Sequence, residues 1–351
     1  LVPAGGPVGQ RTHIRTSHTV ALSTNYRRAY RTTINGRLEV GATQNHILGY
    51  VDGTGTLSLE NSSLPSGDYT DFFACGTGGT MEWAGGTYGL PSSITQYNNI
   101  TVTGSGTKTM PNADVTICGD LIIEGSATLK QPQPAIPYRY TTINGNVYLK
   151  DNAVWDMSNY TIIDLNVDFE KDNSASIKSS IYYQFFYVTG SSDQTFTGDF
   201  TGVNRFANLR FNNPDIVQLN GPVDVNNYLM LDNGRVQTSA ANILRDIKNA
   251  SNGLLRVTNA FVEGPISVNL NSSSPVKYLP IGKNNIRKFF YPLNLPATIG
   301  TWAGEYFNTS PTDAGMSHLS MDNPPLETIS QSEYWAITGP AGVASRIEIS
   351  L

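Results

Sequence analysis

A chain of 351 residues with 39% hydrophobic and 15% charged side chains has ample material for a core and little for electrostatic recognition. A formal net charge of -5, with Lys and Arg scattered, offers no basic face and sets nucleic acid aside as a partner. With 33 Gly and 19 Pro as punctuation and no apolar run of about eighteen residues, the chain reads as all-β, built of short strands and tight turns, with no transmembrane segment.

Residues 1–30 read as a lead-in or a preceding coil. At Thr32 begins TTINGRLEV, in which Ile34, Leu38 and Val40 are apolar around an Asn35-Gly36 corner, where Asn-Gly accepts positive φ at little steric cost. The figure returns at Ile117, Cys118, Gly119, Leu121 and Ile123, and again at Ile143, Asn144, Gly145, Val147 and Leu149. Fainter copies start at Asn220-Gly221 and Glu263-Gly264. Gly36, Gly55, Gly79 and Gly104 stand 19, 24 and 25 residues apart, and Gly119 and Gly145 stand 26 apart, which is a solenoid period. A unit that short cannot bury its own apolar face, whereas stacked units bury a continuous column, and Asn or Gly at the corners lets successive coils superpose. The expected fold is an all-β parallel β-helix over residues 31–260, with Ile34, Leu38, Val40, Ile117, Leu121, Ile143, Val147 and Leu149 inward; a β-sandwich is the rival. From Val276 the glycine corners thin and longer aromatic strands take over, so residues 261–351 are expected to form a sandwich-like cap over the last strand edge. The absence of an initiator Met, and an end at Leu351 directly after the strand-like SRIEIS, mark the chain as a segment of something longer.

Chemistry-bearing residues are few. Cys75 and Cys118 are the only cysteines; either they pair in an oxidising exterior and link nearby coils, or they are two buried small residues. In IIDLNVDFEKD from Ile162, strand alternation puts Ile163, Leu165, Val167 and Phe169 on one face and Asp164, Asn166, Asp168, Glu170 and Asp172 on the other. Asp164, Asp168 and Asp172 are the candidate oxygen ligands for Ca²⁺, the one cofactor considered; the alternative is a solvated face. In IYYQFFYV from Ile181, Tyr183, Phe185 and Tyr187 share one face, and Tyr182 and Phe186 the other. Tyr182, Tyr183, Phe185 and Tyr187 are candidates for ligand binding, since flat rings suit sugars, against the alternative that one face fills the interior and the other packs under a loop. The four His form no metal-ligand spacing and no GxSxG elbow occurs, so no catalytic residue is assigned. Asp151 with Asp156, and Asp164 with Asp168, are the carboxylate pairs that a glycan-cleaving enzyme would draw on.

The stretches GTMEWAGGTYGLP, YNNITVTGSGTKTMPNADVTICGDLIIEGSATL, FANLRFNN, VQLNGPVDVNNYLMLDNGRVQT, AFVEGPISVNL, VKYLPIGK and SEYWAIT resemble units of very large secreted surface proteins of the Bacteroidota, exported by the type 9 secretion system. The resemblance runs from about Thr32 to Leu351. It implies an extracellular, cell-attached, adhesin-like β-solenoid whose partners are a surface polysaccharide or other cell-surface ligand and the type 9 secretion machinery. No stretch matches that family's short C-terminal sorting domain, and the export route rests on the resemblance. The alternative function is a β-helix polysaccharide lyase or glycoside hydrolase, which would gather charged groups from several coils into one cleft.

Overall fold

A computed structural model describes residues 9–133, 138–157, 161–180, 184–248, 254–274, 276, 278–316, 330–341 and 347–349. The protein is an all-β parallel solenoid of about twelve turns. The contacts divide it into two compact units, Leu1–Thr189 with Thr197–Asp199, and Gly190–Phe196 with Phe200–Leu351.

In the first unit the early coils are two strands each, as in Arg31–Ile34 with Arg37–Gly41, and the later ones are three short strands joined by corners. Val115–Ile117, Leu121–Ile123 and Thr128–Lys130 make one coil, and Arg139–Ile143, Val147–Leu149 and Val154–Asp156 make the next. They stack in parallel register, Ile117 on Ile143, Leu121 on Val147 and Leu129 on Trp155. Strands Arg11–Ile14 and Thr19–Ala21 pair in parallel with Arg31–Ile34 and Arg37–Gly41, so a coil does precede the first phrase. Because register is kept, like stacks on like: Leu38, Leu57, Met81, Ile100, Leu121, Val147 and Phe169 form one interior column, each 1% exposed or less. Each such side chain contributes about 1.5–3 kcal/mol by leaving water. All eight residues expected to point inward are buried, and the parallel pairing rules out the sandwich for these coils.

The corners depart from expectation in their reason for glycine. Gly36, Gly55, Gly119 and Gly145 do not adopt the left-handed conformation. Their lack of a side chain is required by close approach between coils: a Cβ on Gly145 would lie 2.2 Å from the Gly119 carbonyl carbon, and one on Gly55 2.0 Å from the Gly36 carbonyl oxygen. Asn and Asp beside these glycines receive the backbone N–H of the neighbouring coil. Asn99 Oδ1 accepts from Asp120 N (2.8 Å), Asp120 Oδ1 from Asn146 N (2.8 Å) and Asn146 Oδ1 from Asp168 N (3.3 Å). Backbone donors that the strand ladders leave unpaired at a bend are thereby satisfied, coil after coil.

In the second unit, the 15-residue strands Phe206–Asn220 and Val223–Gln237 pair in parallel with three register shifts, where the ladder turns from one side of the coil to the next. Leu209, Leu229 and Leu255 form one buried column and Val217, Val236 and Val262 another. Parallel pairing continues to Ile281 and Gly282. The outer edges of the last parallel strands then take antiparallel partners: Ile266–Leu270 pairs with Gly300–Phe307, and Leu279–Lys283 with Ile286–Pro292. Tyr334–Thr338 and Ile347–Ile349 extend this antiparallel layer.

Candidate functional site

Strand Phe185–Val188 divides its side chains cleanly. Phe186 and Val188 are fully buried; Phe186 stacks on Phe169 at 5.8 Å and meets Trp155 edge-on at 5.9 Å. Phe185 and Tyr187 face outward and are half-buried, with ring centroids 5.9 Å apart. Tyr138 approaches Phe185 at 6.5 Å. The parallel register sets Ile162 beside Phe185 and Asp164 beside Tyr187, and one coil back Tyr140 beside Ile162 and Thr142 beside Asp164. Tyr140 is 45% exposed. The result is a shallow outer face of rings from two coils, edged by Asp164 and Thr142. Of the four aromatic candidates, Phe185 and Tyr187 belong to it, while Tyr182 and Tyr183 lie outside the described residues. Tyr138 and Tyr140 escape a reading of the local sequence because they sit two coils back along the chain; only inter-coil register brings them near.

The acidic row requires correction. Asp164, Asp168 and Asp172 do not share one strand face, because the chain turns a corner between strands Thr161–Leu165 and Phe169–Lys171. Asp164 accepts from the Thr189 hydroxyl, which is shared with Asn166 Oδ1 at 2.8 Å. Asp168 is the last step of the corner ladder through Asn99, Asp120 and Asn146. Asp172 serves the following corner: its Oδ2 accepts from Asp151 N (3.0 Å), and Asp151 Oδ2 accepts from Gly125 N (2.9 Å). Both Asp151 and Asp172 thus hold coils together at positions where the sequence pointed to chemistry. Among the described residues no three His, Cys, Asp or Glu gather as a bound metal ion would need. Cys75 and Cys118 form a disulfide, and it joins the loop after Tyr69 to the corner of a later coil.

Charged groups elsewhere are drawn into pairs along the outer columns. Glu82 takes a bidentate guanidinium from Arg37 (2.5 and 2.8 Å) and a hydrogen bond from Ser58 (2.8 Å). Burial works to raise the Glu82 pKa, but the Arg37 and Ser58 hydrogen bonds and the Arg37 charge prevail and hold it below its ordinary value. In the second unit Asp232 lies between Arg210 (2.7 Å) and Arg256 (2.5 Å), and Glu263 between Arg235 (3.0 Å) and Lys283 (3.5 Å). Gln218, Gln237 and Glu263 stand in register beside a polar cleft of about 360 Å³ that Asn242 and Lys283 also line.

Two lysines occupy interior positions that no local pattern marked. Lys108 takes the column place held by Leu129 and Trp155 in later coils, is fully buried, and donates to the carbonyls of Gly85 (2.8 Å), Thr103 (2.7 Å) and Ser105 (2.6 Å). Burial pushes its ammonium pKa down to about 8. Lys171 follows Leu149 in its column and donates to the carbonyls of Asp172 (2.9 Å) and Ala175 (3.0 Å). Both ammonium groups end at corners, on carbonyls that turn inward there, and so act as internal corner braces. No family model, curated protein or solved structure matches the chain.

Proposed function

We propose that the chain is an extracytoplasmic adhesive segment of a larger surface protein, in which the solenoid presents a polysaccharide-binding face. The observation that carries this reading is the outer aromatic face of Phe185, Tyr187, Tyr138 and Tyr140, with the Asp164 and Thr142 polar groups at its edge. Rings laid on a sheet surface offer apolar area to the C–H face of a sugar, and neighbouring oxygens accept its hydroxyls. The Cys75–Cys118 disulfide favours an oxidising compartment. Continuous ladders along the axis suit a stiff element that projects its binding surface. Cell attachment and the type 9 export route rest on the sequence resemblance.

The test is to incubate the purified chain with bacterial, algal and plant polysaccharides and follow both retention and release of reducing or unsaturated ends. Retention without products, weakened about tenfold by Phe185→Ala or Tyr187→Ala, is the expected result. Product release that disappears in Asp164→Asn would replace this reading with a β-helix lyase or hydrolase.

A further inference from the structure

We infer that the antiparallel part of the second unit carries a separate binding groove for a neutral pyranose of a glycan chain. It does not depend on the outer aromatic face of the first unit. Strand Ile286–Pro292 alternates, with Lys288, Phe290 and Pro292 buried and Phe289 and Tyr291 half-exposed on the opposite face. Antiparallel register sets Leu279 against Phe290 and Pro280 against Phe289, which carries Tyr278 to the side of Tyr291. The Tyr278 and Tyr291 rings are 5.2 Å apart at 50°, and Phe289 meets Tyr291 at 5.2 Å and 87°. Rings splayed in this way form walls, whereas a parallel stack would cover their faces with one another.

Those walls open on a groove of about 560 Å³ lined by Tyr278, Tyr291, Leu293, Leu295, Ser272 and Asn294. That volume falls in the range of small-molecule sites, and the lining has their usual character of apolar walls with few polar groups. Its two loops are tied to each other: Ser272 N donates to the Pro296 carbonyl (2.8 Å), and Asn271, itself buried, holds Ser273 N (3.0 Å) and Ser274 Oγ (3.3 Å) on its own side. The groove is therefore formed before any ligand arrives, which lowers the ordering cost of binding.

The chemistry of the walls selects the ligand. The described lining is aromatic and aliphatic, with hydroxyl and amide groups as its polar side chains and no carboxylate, ammonium or guanidinium among them, a chemistry that favours a neutral ligand over a uronate or phosphate. A neutral sugar matches: its C–H face lies on an aromatic ring, and its hydroxyls reach the two phenols, Ser272 and Asn294. Pro292, which also lines the groove, adds apolar surface for the same amphipathic ligand.

The experiment is isothermal titration of the full chain with cellohexaose, laminarihexaose and mannohexaose, and with hexagalacturonate as the anionic counterpart. At least one neutral hexasaccharide is expected to bind, at least about tenfold more tightly than hexagalacturonate. Tyr291→Ala should weaken it by about tenfold, Tyr291→Phe by no more than about threefold, and Phe185→Ala not at all. Should Tyr291→Ala fail to fold, Ser272→Trp, placed on an exposed loop position to fill the groove, is expected to abolish binding. Failure of all three neutral sugars to bind, tighter binding of hexagalacturonate, or unchanged affinity in folded Tyr291→Ala and Ser272→Trp overturns the inference. Loss through Phe185→Ala with Tyr291→Ala unaffected overturns it too, while leaving the first unit's outer face as the binding surface.

Discussion

Replacing Gly145 by Ala adds one methyl group at a corner where two coils nearly touch. The new Cβ would stand 2.2 Å from the Gly119 carbonyl carbon, 2.4 Å from its oxygen and 2.7 Å from Asp120 N, against 3.4–4 Å for ordinary contact. All three are backbone atoms, so relief requires the coils to part by about 1 Å. That separation strains the hydrogen bonds of the same corner: Asn144 N to Ile117 O (2.8 Å), Leu121 N to Asn146 O (2.9 Å) and Asn146 N to Asp120 Oδ1 (2.8 Å). Overpacking of about 1–3 kcal/mol, with partial loss of bonds worth about 1 kcal/mol each, gives an expected destabilisation of about 2–4 kcal/mol. Gly86→Ala is the matched control, since nothing lies within 4 Å of its Cβ and its φ is ordinary; it should change stability by less than about 1 kcal/mol, toward greater stability. Urea unfolding followed by far-UV circular dichroism measures the difference. Hydrogen exchange localises it, because stacked coils can open in sections. If Gly145→Ala and Gly86→Ala unfold together, close approach is not why glycine stands at these corners.

Three further outcomes are expected. The Cys75→Ser, Cys118→Ser double variant releases a cross-link spanning 43 residues and should lose up to about 4 kcal/mol in the same urea assay, with reduction of the parent giving the same shift. Lys108→Ala removes the ammonium from three inward carbonyls, of which Gly85 O keeps Ser105 N (3.1 Å), and leaves a hole in the column, at a cost of about 2–5 kcal/mol; Lys108→Met, which fills the hole alone, should fall between it and the parent. Because the folded Glu82 pKa lies below its ordinary value of 4.5, its ionised form stabilises the fold above that pH and the benefit is lost as pH falls through the lower folded value. Thermal midpoints of the parent should therefore drop below pH 4.5 more steeply than those of Glu82→Gln, and equal slopes would show that the Arg37 pair contributes nothing.

The sequence by itself determined the fold class and the interior. A repeated Ile-x-Gly phrase, with glycine corners 19 to 26 residues apart, points to stacking, and stacking in register dictates that Ile117, Leu121, Ile143 and Val147 lie inside. It also marked the split of the aromatic segment, with Phe186 on one face and Phe185 and Tyr187 on the other, while the structure decided that Phe186 is the inward one. What only the tertiary structure decided are relations between coils. Asp168 and Asp172 look like free oxygen ligands in a linear reading, but a corner intervenes: Asp172 Oδ2 accepts Asp151 N from the neighbouring coil, while Asp168 enters the corner ladder through its own backbone N–H, which donates to Asn146 Oδ1. The Cys75–Cys118 pairing was one of two open alternatives, and the coils' superposition chose it. Lys108 and Lys171 carry no local sign of burial, because an ammonium is stabilised inside only by carbonyls that other turns of the chain aim at it. Tyr278 and Tyr291 are 13 residues apart in sequence and become the walls of one groove through a hairpin register. Local alternation is set by the backbone of a single strand, whereas these partnerships depend on how many residues each coil spends between its corners, and that count is fixed only when the coils close on one another.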